Sequence, residues 1–141
     1  SVLSVSASGM SAQRIRAEVV AQNLANADTT RTPEGGPYRR KDVIFESQPS
    51  SSPFSSVLSE QMSDQMTGVG VSEIRVDQDE PVKRYLPGHP DADKDGYVAM
   101  PRVNPAEDMV DLMSAARGYQ ANVAAISAVK DMIQRSLELF R

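Results

Sequence analysis

Between Asn104 and Phe140 the apolar residues recur at alternating steps of three and four, the spacing that lines one side of an α-helix. Met109, Leu112, Ala116, Tyr119, Val123, Ile126, Ile133, Leu137 and Phe140 occupy the two core positions of successive heptads, and Lys130 alone interrupts them with a charge. The start is equally marked. Asn104 suits the cap, Pro105 the first helical position, and Glu107 follows the cap by three residues. Glu107, Asp108 and Asp111 lie toward the positive end of such a helix, Arg135 and Arg141 toward its negative end. The predicted helix is roughly 50 Å long at ~1.5 Å per residue, more than a small globular domain spans.

A second helical pattern runs from residue 2 to about 27. Leu3, Met10, Ala17 and Leu24 repeat every seven residues, with Val20 and Ala27 at the intermediate core position. Ser6 and Gln13 dilute this seam, while Ile15 and Val19 lie off it and predict contact with more than one neighbour. The pattern stops at Asn23-Leu24-Ala25-Asn26-Ala27-Asp28, whose Asn and Asp side chains bond their own backbone readily.

The middle of the chain reads as β structure. The run 32–37, Thr-Pro-Glu-Gly-Gly-Pro, is turn chemistry, and Tyr38 to Phe45 ends in the strand-forming Val43, Ile44 and Phe45. Residues 47–67 have a Ser/Pro linker composition and predict a flexible loop, with room for a short helix near 57–66. Val69, Val71, Ile74 and Val76 predict a strand whose alternation slips near Ser72 and Glu73, as at a bulge. Val82–Leu86 and Tyr97–Met100 predict two shorter strands.

The expected fold class is therefore α+β, mostly α. Residues 1–30 and 103–141 form a coiled-coil-like pair of helices, and 31–102 form a small β-rich insert carrying the 47–67 loop. Val110, Met113, Ala121, Ala125, Ala128, Met132 and Leu139 add an apolar flank beside the C-terminal seam that one short partner cannot cover. Periodicity leaves two arrangements open: a helical hairpin closed over the β region, or association of several chains through that surface.

Composition narrows the function. With 5% aromatic residues, no Trp and three Phe among 141 residues, little material exists for a deep core. Fifteen basic against 19 acidic residues give a net charge of -4, which names neither nucleic acid nor an anionic membrane as partner. No apolar run approaches the ~18 residues of a spanning helix, and the amino terminus lacks the pattern of a cleaved secretory signal. The absence of cysteine excludes disulfides and thiolate metal sites.

Two motifs suggest chemistry. Asp91-Ala92-Asp93-Lys94-Asp95-Gly96-Tyr97-Val98 has the opening spacing of a calcium loop, with Asp91, Asp93 and Asp95 at its ligand positions. Its twelfth position is Arg102, a cation where a bidentate Glu belongs, and Pro87, Pro90 and Pro101 oppose the flanking helices. A calcium-binding module is thus the alternative, and a carboxylate-rich turn closed by Gly96 the preferred reading. His89 is the single histidine, so a hydrolase would need Asp91 or Asp93 to orient it; between Gly88 and Pro90 it fits a rigid turn better. Gly35-Gly36 and Gly68-Val69-Gly70 read as turns, and Arg39-Arg40-Lys41 as a solvated strand edge.

Three stretches carry a resemblance that covers most of the chain outside 47–67. The first is Ser8-Gly9-Met10-Ser11-Ala12-Gln13 through Asn23-Leu24-Ala25-Asn26-Ala27-Asp28-Thr29, followed by Gly36-Pro37-Tyr38-Arg39-Arg40-Lys41. The second is Tyr85-Leu86-Pro87-Gly88-His89-Pro90-Asp91-Ala92-Asp93 with Gly96-Tyr97-Val98 and Met100-Pro101. The third is Glu107-Asp108-Met109-Val110-Asp111-Leu112 through Gly118-Tyr119-Gln120-Ala121-Asn122. Together they resemble the flagellar rod and hook axial family, the second stretch narrowing the likeness to one proximal-rod member. Arg102, where a small polar residue such as Asn is expected, and a long 47–67 loop depart from that pattern.

The resemblance implies a non-enzymatic structural subunit without cofactor, whose terminal helices pair and pack with those of neighbours into a hollow, torque-transmitting shaft. It implies a homo-oligomer in the periplasmic rod, in contact with other proximal and distal rod proteins and the base of the membrane ring. It also implies passage through the flagellar type III export apparatus without a cleaved signal peptide, with no nucleic acid partner and no direct membrane insertion. The expected assembly interface comprises the N-terminal seam at Leu3, Met10, Ala17, Val20 and Leu24, the motif residues Asn23 and Asn26, and the C-terminal seam from Met109 to Phe140 with Lys130 at its break.

Overall fold

The computed structural model describes residues 2–49 and 67–141. The order is α1 (Val2–Ala25), β1 (Lys41–Pro49), β2 (Thr67–Val76), β3 (Val82–Tyr85), β4 (Tyr97–Met100) and α2 (Pro105–Leu139). This is the expected α+β arrangement, with long helices at the two ends of the sequence and a small β region between them. Strand β1 already includes residues 47–49 and β2 begins at Thr67, so the proposed loop is shorter at both ends. The helix anticipated near 57–66 lies outside the described residues.

Helix α2 starts where its cap chemistry places it. Asn104 is extended, at φ -101° and ψ 104°, and its Oδ1 accepts from the Ala106 amide at 3.2 Å. That satisfies one of the free donors of the first turn. Helix α1 gives way to a turn at 26–28, where Asn26 Nδ2 donates to the Gln22 carbonyl and Asn26 Oδ1 accepts from the Thr29 hydroxyl.

The helices pack antiparallel. Gly9 of α1 faces Asn122 of α2, Gln13 faces Gly118, and Arg16 ion-pairs with Asp111, so positions rise on one helix as they fall on the other. Close approach is needed at two of these points. A Cβ on Gly9 would stand 2.8 Å from Asn122 Oδ1, and one on Gly118 would stand 3.1 Å from Gln13 Cδ. Extrapolating this register, Val2 lies opposite roughly residue 129, and the last ten or so residues of α2 run on beyond α1. Residues 130–141 are accordingly all exposed.

Strands β1 and β2 pair antiparallel from Lys41↔Val76 to Pro49↔Thr67, and the register shifts between Ile44 and Phe45, opposite Glu73 and Val71. Ser72 is the extra residue, at the slip in alternation that the sequence showed. The hairpin lies along α1. At one end Asn23 Nδ2 donates to the Lys41 carbonyl at 2.8 Å; at the other the Val69 amide donates to Ser8 Oγ at 3.1 Å. Fifteen helical residues and six strand residues both span about 20 Å, so the two elements match in length. Val19 and Val20 are buried beneath the hairpin, which accounts for Val19 off the helical seam, and Ile15 is half-buried.

The second ribbon pairs Val82↔Met100 through Tyr85↔Tyr97, with Val98 fully buried and the two tyrosine rings edge-to-face at 5.3 Å. Arginines tie it to the first hairpin. Arg102 lies 3.5 Å from the carboxylates of Asp77 and Asp79, while Arg39 Nη1 donates to the carbonyls of the same two residues.

Candidate assembly surface

The face that α2 turns to its own chain is a stripe of small and polar residues. Asp108 and Ala115 are fully buried, and Asp111, Gly118, Asn122, Ala125 and Val129 are half-buried. These positions form a heptad of their own, displaced by one residue from the apolar seam, which is a rotation of about 100°. The apolar seam is thereby left in solvent: Met109 is 60% exposed, Val123 44% and Phe140 91%. Tyr119, Ile133 and Leu137 are exposed as well, as are Ala116 and Lys130, and only Leu112 and Ile126 sit half-buried at the border of the two stripes. The physical reason is packing distance. Glycine and alanine on the stripe let the helix axes approach closely, whereas the bulkier seam would hold them apart.

The N-terminal seam is placed differently. Leu3 is exposed, Met10, Ala17 and Leu24 are half-buried, and Val20 is buried within the chain. Asn23, expected at the assembly interface, is instead 0% exposed. Its Oδ1 accepts from Tyr38 Oη at 2.8 Å and from the Lys41 amide at 3.0 Å, and its Nδ2 donates to the Lys41 carbonyl. Periodicity gave no sign of this, because the partners lie on a turn and a strand start rather than on a helix. Asn26 is half-buried and engaged in the local turn already described.

Beneath Asn23 lies an ion-pair cluster that motif reading passed over. Arg40 Nη1 stands 2.9 Å from the fully buried Asp108 carboxylate and Arg40 Nε 3.1 Å from Asp42. Burial lowers the Arg40 pKa, but the Asp42 and Asp108 carboxylates outweigh it and the guanidinium stays charged. Burial also pushes the Tyr38 phenol up, opposed by Arg40 and reinforced by Asp108. The cluster fixes the first turn of α2 to the entry of β1. Its signal in the sequence was the charged Asp108 on the stripe adjoining the apolar seam.

The Asp91–Gly96 turn is occupied by its own bonds. Asp93 Oδ1 accepts from the amides of Asp95 and Tyr97, both at 2.9 Å, while Asp91 accepts from the Thr30 hydroxyl and pairs with Arg31. Gly96 has φ 84°, and a Cβ there would meet Tyr85 Cε2 at 2.9 Å. Among the described residues no three acidic or histidine side chains come together around a common point, so nothing favours the calcium module. His89 Nδ1 accepts from the Asp91 amide at 3.0 Å, a turn contact rather than part of a catalytic constellation. Among the described residues no helix is long and apolar enough to cross a membrane.

An exposed apolar helical seam beside a closed polar turn defines a structural module that presents a surface rather than a reaction centre. Residues 3–31 match the family described as Flagella basal body rod protein, and residues 94–139 match that described as Flagellar basal body rod FlgEFG protein C-terminal. Relatives named Flagellar basal-body rod protein FlgC are similar along almost their whole length. The chain is 47% identical to that of Bacillus subtilis, with 97% of this chain and 95% of the relative covered. It is 39% identical to that of Borreliella burgdorferi, covering 100% and 97%. For the Escherichia coli O157:H7 relative the identity is again 39%, covering 98% and 95%. The chain belongs to the FlgC family of flagellar basal-body rod proteins, and as such is a structural, non-enzymatic rod component.

Proposed function

We propose that this chain builds the proximal rod by packing the exposed seam of α2 against helices of neighbouring subunits, while the offset stripe holds its own helices together. Residues 1–30 with 103–141 then serve as the axial core, and 31–102 as an insert that braces it. The observation carrying this reading is the pair of heptad stripes one residue apart, of which the single chain buries only the small and polar one. Burying apolar surface is worth ~25 cal/mol per Å², so a long row of half-exposed Met, Val, Ile and Leu drives association along the helix. Many dispersed contacts of this kind give stiffness without a chemical site, as torque transmission requires. The same reading has copies of the chain contacting each other and other proximal and distal rod proteins in the periplasm. It also has the chain meeting the base of the membrane ring after export through the type III apparatus.

Two substitutions separate the stripes. Val123→Asp charges the exposed seam and leaves the chain folded, with unchanged circular dichroism, but keeps it out of isolated basal bodies. Ala115→Asp charges the buried stripe and unfolds the helix pair. Normal incorporation of Val123→Asp into the rod would refute the assignment.

A further inference from the structure

The inner face of the β1–β2 hairpin is wider than the helix covering it. Paired strand residues point to the same side, so Lys41, Val43, Val76 and Ile74 share one face. Of these, Ile74 and Val76 remain exposed, as does Phe45. Between strand β1 and α1 runs an open groove of about 350 Å³, floored by Val19, Val20, Val43 and Phe45. Its rim carries Arg16, Lys41, Asp42 and Asp111, a mixed set in which the Asp42 side chain is 56% exposed. Helix α2 lies on the other flank of α1 and reaches this groove only through Asp111.

The other end of the molecule holds the complementary shape. The overhang of α2 presents Ile133, Leu137, Leu139 and Phe140, flanked by Arg135, Glu138 and Arg141. Ile133, Leu137 and Phe140, at steps of four and three, line one side of the overhang and offer one aromatic and two aliphatic side chains to a partner, while Leu139 lies about 200° round the helix from Leu137. Charges beside that side match too: Arg141 suits Asp42, and Glu138 suits Lys41. The overhang cannot reach the groove of its own chain. Phe140 and the α2 residues opposite Val19 are roughly 40 Å apart along one continuous helix.

We infer that the apolar end of α2, with Phe140 leading, seats in the groove between α1 and the β1–β2 hairpin of a second copy of this chain. The contact is heterologous: one surface patch meets a different one, and repetition generates an open chain of subunits rather than a closed dimer. Phe140 contributes to a site that is incomplete without the second copy. The inference rests on the assembly reading above and adds to it which element enters which groove.

The chain has no cysteine, so introduced thiols report one contact at a time. Two tagged full-length variants, Phe140→Cys and Phe45→Cys, are expressed together in a flagellated cell, and basal bodies are isolated and mildly oxidised. A mixed disulfide joining the two tags is expected, with no disulfide when either variant is expressed alone. The exposed pair Leu137→Cys and Asp42→Cys repeats the measurement from side chains that are 65% and 56% exposed. Basal bodies that contain both members of either pair yet form no mixed disulfide overturn the inference while leaving the assembly reading standing. A disulfide joining two copies of the Phe140→Cys variant overturns it as well, since that contact is isologous. Basal bodies in which the Leu137→Cys thiol reacts with a soluble maleimide as readily as in the isolated chain overturn the assembly reading and this inference with it.

Discussion

Replacing Asn23 distinguishes a residue that holds the single chain together from one that meets a neighbour. Its side chain is fully buried and makes three hydrogen bonds, to Tyr38 Oη, the Lys41 amide and the Lys41 carbonyl. Each such bond is worth about 1 kcal/mol net, and each polar partner left unpaired costs up to a few more. Tyr38 and Lys41 are only half-buried, so water replaces part of what is lost. Asn23→Ala should therefore destabilise the isolated chain by about 2–4 kcal/mol, which lowers the melting temperature by on the order of 10 °C for a chain of this size. Urea titration and thermal melts followed by circular dichroism measure both. Asn23→Asp keeps the two acceptor contacts but sets a carboxylate against the Lys41 carbonyl, so its penalty should exceed that of alanine at pH 7 and shrink toward pH 4. A change below ~0.5 kcal/mol for Asn23→Ala, with rod assembly lost, would return Asn23 to the assembly surface and refute the reasoning.

Gly9→Ala should cost about 1 kcal/mol, because only the end of the Asn122 side chain must shift, whereas Gly9→Val should separate the helices and cost several times more by the same melts. The Asp91 carboxyl is held below its ordinary range, chiefly by the Thr30 hydroxyl against a smaller opposing effect of burial, with Arg31 adding to it. A depressed acid stabilises the fold above its unfolded pKa and ceases to do so as pH falls through the folded value, so the tether between residues 30 and 91 should loosen only below about pH 4. In a carboxyl NMR titration Thr30→Ala should move Asp91 upward. Arg102→Ala should cost about 0.5–1 kcal/mol, since its partners are partly solvated, and should free the second ribbon to exchange amide protons faster.

The helices, the strands and the bulge were legible because each follows from spacing of a few residues. The cap at Asn104, the slip at Ser72 and the strand Tyr97–Met100 all lie where local chemistry put them. Which helical face pairs within the chain was not legible. The apolar seam is the stronger signal, yet Gly9, Gly118, Ala12 and Ala115 decide the outcome by allowing close approach, and small residues carry little weight in a hydrophobic pattern. The buried Asp108–Arg40 pair was hidden for a related reason: 68 residues separate its members, and no periodicity links a helix start to a strand entry. Arg102 looked like a departure from a family pattern, and its contacts to Asp77 and Asp79 show a local use for the charge.

The central claim is that the two heptad stripes of α2 serve different partners. Single cysteines at Met109, Val123 and Ala115 of the cysteine-free chain test it by thiol labelling, once on the isolated chain and once on intact basal bodies. Met109→Cys and Val123→Cys should label rapidly in the isolated chain and become protected in the rod, while Ala115→Cys stays protected in both. Equal labelling of Val123→Cys before and after assembly would show that the exposed seam meets no neighbour and would contradict the account.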